Sequence, residues 1–369
     1  LTTLPAAAFA ADVTDYELAV NGKRVTSANA TNILDDGKAS YDADTRTLTL
    51  SGDISVTDNA VNPFGKQLTV TGKSTVTGAQ RDRYAGFYSG GEPIKVAADA
   101  DITLDTFGFG INAMGADISG NMKICNAEYG VNGMGATVES GGKLIIQNAD
   151  NAVSGGGANV HGTLEIDEAG TAVDAGGVTV HPGGVVTITG ATSGLNGGSA
   201  VKGGSLSVSA KTCIDNGAVI FKSGTLKLDS TSGNFIKLGE SNLTVNAPNF
   251  WYRTAKDGAW TSVTGSSWTR PDDAVYFEIT TNAPTTTHYT VTFDLNGGTN
   301  WGTNDSWISQ IGGRWNDSHD QVSFTTDSFI TQTGGTGEGL SINVGTGMGP
   351  KREGYDFVGW YTAAVGGEP

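Results

Sequence analysis

The chain predicts an all-β solenoid closed by β-hairpin caps, followed by a small C-terminal β module. Three observations predict this. First, an apolar-x-apolar strand core recurs at Ile102/Leu104, Met122/Ile124, Leu144/Ile146, Leu164/Ile166, Val186/Ile188, Leu206/Val208, Leu226/Leu228 and Leu243/Val245, at intervals of 20, 22, 20, 22, 20, 20 and 17 residues. Second, another apolar column runs Ile111, Val131, Val153, Val173, Leu195, Ile214, Ile236, and a third runs Ile118, Val138, Val160, Val180, Val201, Ile220, so three strands are expected per turn. Third, glycine clusters such as Gly155-Gly156-Gly157 and Gly176-Gly177 fall between the columns. Self-similarity at this period with Gly-rich corners marks coils that bury one shared core.

Composition supports a folded β chain. Charged residues are sparse at 16%, while 37% hydrophobics suffice for a core. A net charge of -16 repels phosphate and anionic lipid, which disfavours nucleic acid and membrane partners and leaves neutral glycans or proteins. No apolar run reaches the roughly 18 residues of a membrane helix.

In chain order, residues 1–11 read as the remnant of a secretory signal peptide, with Ala8-Phe9-Ala10 as a small-x-small cleavage site. Residues 12–50 read as an N-terminal hairpin cap: Tyr16 to Val20 alternates, Asn21-Gly22 turns and Lys23 to Thr26 returns, and a second hairpin spans Ala39 to Leu50 around Asp42-Ala43-Asp44-Thr45. Such hairpins cover the open strand edges of a solenoid end. Residues 51–248 form the solenoid, its first coils irregular, with a charged and aromatic loop at Arg81 to Tyr88 that is expected to protrude.

Within each strand the residue between the apolar pair faces out. Those residues are Thr103, Lys123, Ile145, Glu165, Thr187, Ser207, Lys227 and Thr244, so the outer face is a set of polar rows. The two cysteines, Cys125 and Cys213, sit four coils apart, roughly 19 Å, well beyond the roughly 7 Å that a disulfide spans, and are expected to be free, buried thiols.

These columns and corners resemble the right-handed parallel β-helix of pectin-lyase-like proteins, and most of all the secreted Gly-rich β-helix proteins of gut bacteria described as carbohydrate-binding. The resemblance implies the handedness and a cell-surface or extracellular setting. Residues 249–281 change character: Phe250-Trp251-Tyr252-Arg253, Trp260, Trp268 and Val275-Tyr276-Phe277-Glu278-Ile279 read as an aromatic C-terminal cap that plugs the core. Exposed Trp and Tyr stack on sugar rings, which makes Trp251, Tyr252, Trp260 and Trp268 the candidate ligand-binding residues.

A Thr-rich linker, 282–288, ends this unit. Beyond it Tyr289-Thr290-Val291-Thr292-Phe293-Asp294-Leu295-Asn296-Gly297-Gly298 and Pro350-Lys351-Arg352-Glu353-Gly354-Tyr355-Asp356-Phe357-Val358-Gly359-Trp360-Tyr361-Thr362 resemble the opening and closing signatures of the internalin-type B repeat, or Listeria/Bacteroides repeat. That resemblance implies a small β-grasp-like module over 289–369 of a bacterial surface protein. Asn300 to Gly349 reads as an insertion, and the module as truncated before a wall-attachment region.

Catalytic chemistry has one candidate pair. Glu165 and Asp167 lie two apart on one strand and project from the same face about 6.6 Å apart, near the range of inverting glycosidases. No further catalytic group accompanies them, and no Arg occurs between Arg83 and Arg253, whereas the β-helix lyases that the array resembles need a basic group beside the uronate. His161 and His181 occupy equivalent corners one coil apart without a third ligand, so no metal and no cofactor is expected. The sequence is therefore read as a non-enzymatic adhesin-like β-helix protein that binds a glycan or a host or cell-surface protein; the alternatives are a polysaccharide lyase or hydrolase acting through Glu165 and Asp167, and a spacer without a ligand.

Overall fold

The computed structural model describes residues 12–236, 238–239, 241–265, 268–271, 274–284, 289–295, 313–318 and 320–326. The segment read as a signal remnant, Asn296-Gly297-Gly298 of the opening signature, most of the segment read as an insertion and the 350–362 motif lie outside them. The chain divides into two units, 1–283 and 284–369.

The first unit is all-β, a solenoid of roughly nine turns in which each strand pairs in parallel with its counterpart one coil on. The first face stacks Met122↔Leu144↔Leu164↔Val186↔Leu206↔Leu226, the second Ile111↔Val131↔Val153↔Val173↔Leu195↔Ile214, and the third Ile118↔Val138↔Val160↔Val180↔Val201. These residues are at most 8% exposed and form one continuous core. Long strands such as Asn121–Gly133 and Thr163–Ala175 run around a corner and serve two faces.

The corner between the first and second faces is a single residue in the left-handed region: Thr106, Asn126, Asn148, Glu168 and then Gly190, with φ between 51° and 67°. Asn tolerates this conformation, and its amide adds a ladder: Asn148 Nδ2 donates to Asn126 Oδ1 at 2.6 Å and Asn126 Nδ2 to Asp105 Oδ1 at 2.7 Å. Immediately after the corner the chain buries Phe107, Ala127, Ala149, Ala169, Ala191 and Ala210 as an inner column. At the next corner the coils approach so closely that a Cβ on Gly176 would lie 2.2 Å from the Gly156 carbonyl carbon, and one on Gly156 only 1.9 Å from Met134 O. Glycine is required there by space.

The register corrects four sequence expectations. Leu243–Val245 pairs with Val219–Phe221 and so continues the third face, not the first, which accounts for its short interval of 17 residues; Thr244 accordingly leaves the first-face row. In the third column Phe221, fully buried, takes the place expected for Ile220, which is 39% exposed, because Val201 pairs with Phe221. Ile236 is buried but bridges Ala274 of the cap in place of stacking on Ile214. Cys125 follows the inward Ile124 and therefore turns outward, half-exposed, whereas Cys213 is buried; both are free.

At the N-terminal end Asp15–Val20 and Lys23–Thr26 form a hairpin with Asn21 and Gly22 at positive φ. Ala39–Asp42 pairs antiparallel with the start of Thr47–Val56, and that second strand is already the first coil, in parallel register with Leu68–Gly78 along its whole length. The solenoid thus begins at Thr47, inside the segment expected to be cap. The early coils read as irregular because Ser74 replaces an aliphatic residue inside; its hydroxyl donates to Gly52 O at 2.7 Å. The loop expected to protrude is held down: Arg81 Nη2 donates to Ala127 O at 3.0 Å and pairs with Asp150 at 2.7 Å.

In the second unit Gln321–Thr326 is the central strand of an antiparallel three-stranded sheet, flanked by Tyr289–Asp294 and Gly313–Trp315. Asn316 closes the turn before it, its Oδ1 accepting from the backbone N–H groups of Asp320 and Gln321.

Candidate binding face

The outer side of the first face continues past the last coil. Tyr276–Thr280 lies antiparallel on the last first-face strand, with Lys227 opposite Glu278 and Asp229 opposite Tyr276. Asn249–Arg253 pairs in turn with Tyr276–Thr280, placing Trp251 opposite Thr280 and Arg253 opposite Glu278, and Thr261–Thr264 adds a further strand with Ser262 opposite Trp251. Alternation then sorts every side chain. One outward row runs Thr163, Val185, Ser205, Thr225, Thr280, Trp251; the next runs Glu165, Thr187, Ser207, Lys227, Glu278, Arg253.

The same parity separates Trp251 from Tyr252, whereas Trp260 and Trp268 lie outside the strands and are placed by their contacts. Tyr252 and Trp268 pack against the core: Trp268 meets Phe250 edge-on at 5.1 Å and Tyr252 at 5.3 Å, and Tyr252 stacks on Phe277 at 6.3 Å. Trp251 is half-buried on the outward row. Trp260 lies beneath the Arg253 guanidinium, 4.7 Å from ring centre to Cζ.

Arg253 organises the middle of this face. Its Nε and Nη2 reach Glu278 Oε2 at 2.8 and 2.7 Å, and Tyr276 donates its hydroxyl to the same carboxylate oxygen at 2.5 Å. Burial and then the hydrogen bond and charge of Glu278 push the Tyr276 phenol above its ordinary range. Burial opposes the charge on Arg253, but the Glu278 contacts outweigh it and hold the guanidinium protonated. The Lys227 ammonium stands 5.8 Å over the Tyr276 ring, and Lys256 pairs with Asp229 at 2.8 Å. The pairing offers an aromatic surface beside fixed donors and acceptors, and at the same time clamps the cap to the last coil.

Sequence reasoning named the aromatic members of this face but missed Arg253, Tyr276, Glu278 and Lys227. The signal for Arg253 was the alternation of Phe250-Trp251-Tyr252-Arg253, which puts Trp251 and Arg253 on one side and Phe250 and Tyr252 on the other; Tyr276, Glu278 and Lys227 join them only through the strand pairing.

Glu165 and Asp167 do project from the same face, and each has its own partner. Glu165 Oε1 pairs with Lys143 at 2.8 Å, and Asp167 Oδ1 accepts from Thr189 Oγ1 at 2.7 Å. The His161 and His181 rings stack at 4.0 Å; burial, then His161 and Lys202, lower the pKa of His181. Among the described residues no group of three or more His, Cys, Asp or Glu side chains is placed to hold a metal ion.

Comparison with known proteins bears on the C-terminal unit. The family model of the Listeria-Bacteroides repeat domain matches residues 321–369, starting on the central strand Gln321–Thr326 and leaving Tyr289–Asp294 outside the match. No curated protein and no solved structure matches the chain. The molecule is thus a β-solenoid scaffold that carries a Listeria-Bacteroides repeat domain, a module typical of surface and extracellular proteins.

Proposed function

We propose that this is a non-enzymatic secreted or cell-surface protein whose solenoid presents the extended outward face, ending in the cap, to a carbohydrate, with the C-terminal repeat directed toward the bacterial wall. The observation that carries the reading is the position of Trp251. The core does not require it, yet it stands half-buried at the end of an outward row that carries Thr163, Val185, Ser205 and Thr225, beside the Arg253–Glu278 pair and with Trp260 close by. An aromatic surface that covers the apolar side of a sugar ring, next to fixed polar groups that meet its hydroxyls, is a recurring way to bind a neutral glycan.

Glycan-array binding tests this. Wild-type protein is expected to select a subset of neutral glycans, and Trp251→Ala is expected to lose that binding while keeping its melting temperature. Trp268→Ala, by contrast, removes part of the plug and is expected to lower the melting temperature. Absence of selective binding by the wild type, or full binding by Trp251→Ala, would remove the reading.

A further inference from the structure

An Asn-Gly pair is the dipeptide most open to attack of the backbone on a side-chain amide, because Gly puts no side chain beside its nitrogen and leaves the backbone free to turn. Four such pairs, at Asn21, Asn132, Asn196 and Asn216, lie among the described residues. Three of them are held. Asn21, in the hairpin turn, accepts at Oδ1 from the Thr57 N–H at 2.9 Å. Asn132 and Asn196 lie inside strands, and their Nδ2 groups donate to Asn112 Oδ1 at 3.3 Å and to Asp174 Oδ1 at 2.8 Å.

Asn216 differs. It is exposed and falls between the strands Ser199–Ile214 and Val219–Ser230. Among the described residues its side chain makes no hydrogen bond, and the Gly217 N–H has no acceptor. Both groups that would react are therefore unengaged, and water reaches the amide. The chain just beyond is tightly fitted. A Cβ on Gly217 would lie 2.3 Å from Gly197 O, Ala218 O accepts from the Ser199 N–H at 2.7 Å, and the Val219 N–H donates to Asn242 O at 2.8 Å. Extra backbone at this corner has no room toward the preceding coil, and it displaces the pairing of Val219–Phe221 with Leu243–Val245.

We propose that Asn216 is a site of spontaneous deamidation through a succinimide, and that its isoaspartyl product loosens the last turn of the third face. The Gly217 nitrogen gives its proton to hydroxide and attacks Asn216 Cγ. The new N–C bond closes a five-membered ring, the Cγ–Nδ2 bond breaks, and Nδ2 leaves as ammonia after taking a proton from water. Water then opens the ring. Cleavage of the N–Cγ bond gives Asp on an unchanged backbone; cleavage between the nitrogen and the backbone carbonyl carbon gives isoaspartate, with the backbone one methylene longer. Both products carry one added negative charge, so only the added length separates their effects.

Mass-spectrometric peptide mapping of the folded full chain, aged at pH 8, tests the site. Asn216 is expected to convert at least about tenfold faster than Asn132 and Asn196, whose strands must first open, with isoaspartate among the products. Amide hydrogen exchange in Leu243–Val245 is expected to be severalfold faster in the aged protein than in fresh protein or in fresh Asn216→Asp, which has the charge without the extra methylene, and unchanged in aged Asn216→Gln. Conversion of Asn216 no faster than that of the two strand residues, or conversion to aspartate without isoaspartate, overturns the proposal. Equal exchange in aged wild type and fresh Asn216→Asp, or faster exchange in aged Asn216→Gln, overturns its structural half.

Discussion

Cys125 and Cys213 are governed by their place in the in–out alternation. Cys125 pairs across coils with Asp105 and Gln147 on the outer face, whereas Cys213 occupies an inner column otherwise filled by the small residues Gly110, Gly130, Ala152, Ala172 and Gly194. Burial pushes the Cys213 thiol up to about 11 and raises that of Cys125 as well. The thiolate is the reactive form. At pH 8 the native protein is therefore expected to take up one equivalent of an alkylating reagent, slowly, at Cys125, and the second only after unfolding; two equivalents at equal rates would contradict the register. The sequence made both thiols free because the coil count separates them. It did not distinguish their exposure, because position in a strand was assigned by column and not carried one residue further to its parity. The same step separates Trp251 from Tyr252.

At the scale of strands and corners, the 20–22-residue period was legible because branched and long aliphatic residues fill each inward position. The inner column of alanines was not, since Ala marks no period by hydrophobicity, and yet Ala127, Ala149 and Ala169 are at most 5% exposed. Residues at the two ends misled for a related reason: Ile220 and Phe221 are both apolar, and only pairing to Val201 decides which one enters the core. The Gly-rich corner yields a stability prediction. Gly176→Ala places a methyl where the neighbouring coil's backbone stands, and is expected to cost about 2–4 kcal/mol by denaturant unfolding, while Gly183→Ala, with open space but φ of 84°, is expected to cost about 1 kcal/mol. The histidine corner yields a pH dependence. His181 titrates below its ordinary 6.5 in the folded protein, so the unfolded chain binds the proton more readily. The contribution to stability is then complete above about pH 6.5 and is lost as pH falls through the lowered folded value. Melting curves between pH 7 and 5 are expected to fall less steeply for His181→Asn than for wild type; an identical or steeper fall would assign the acid sensitivity to other groups.

For the molecule as a whole, stability follows from coils that touch only their neighbours, so its two ends matter more than those of a globular domain. At the N-terminal end the hairpin Asp15–Val20/Lys23–Thr26 and the strand Ala39–Asp42 close the first coil by antiparallel pairing, and at the C-terminal end Tyr276–Thr280 does the same to the last. Phe277 is the residue through which the C-terminal closure reaches the core: it is fully buried, lies opposite Leu228 and stacks on Tyr252. Truncating a buried Phe costs about 3–5 kcal/mol. In a molecule coupled coil to coil, that loss is felt first where it occurs. Phe277→Ala is accordingly expected to accelerate amide hydrogen exchange in Val219–Ser230 and Leu243–Val245, with a smaller effect at Thr163–Ala175 and none at Thr47–Val56. Equal acceleration along the whole solenoid would instead mean that the coils open as one cooperative unit, and that the cap stabilises all of them equally.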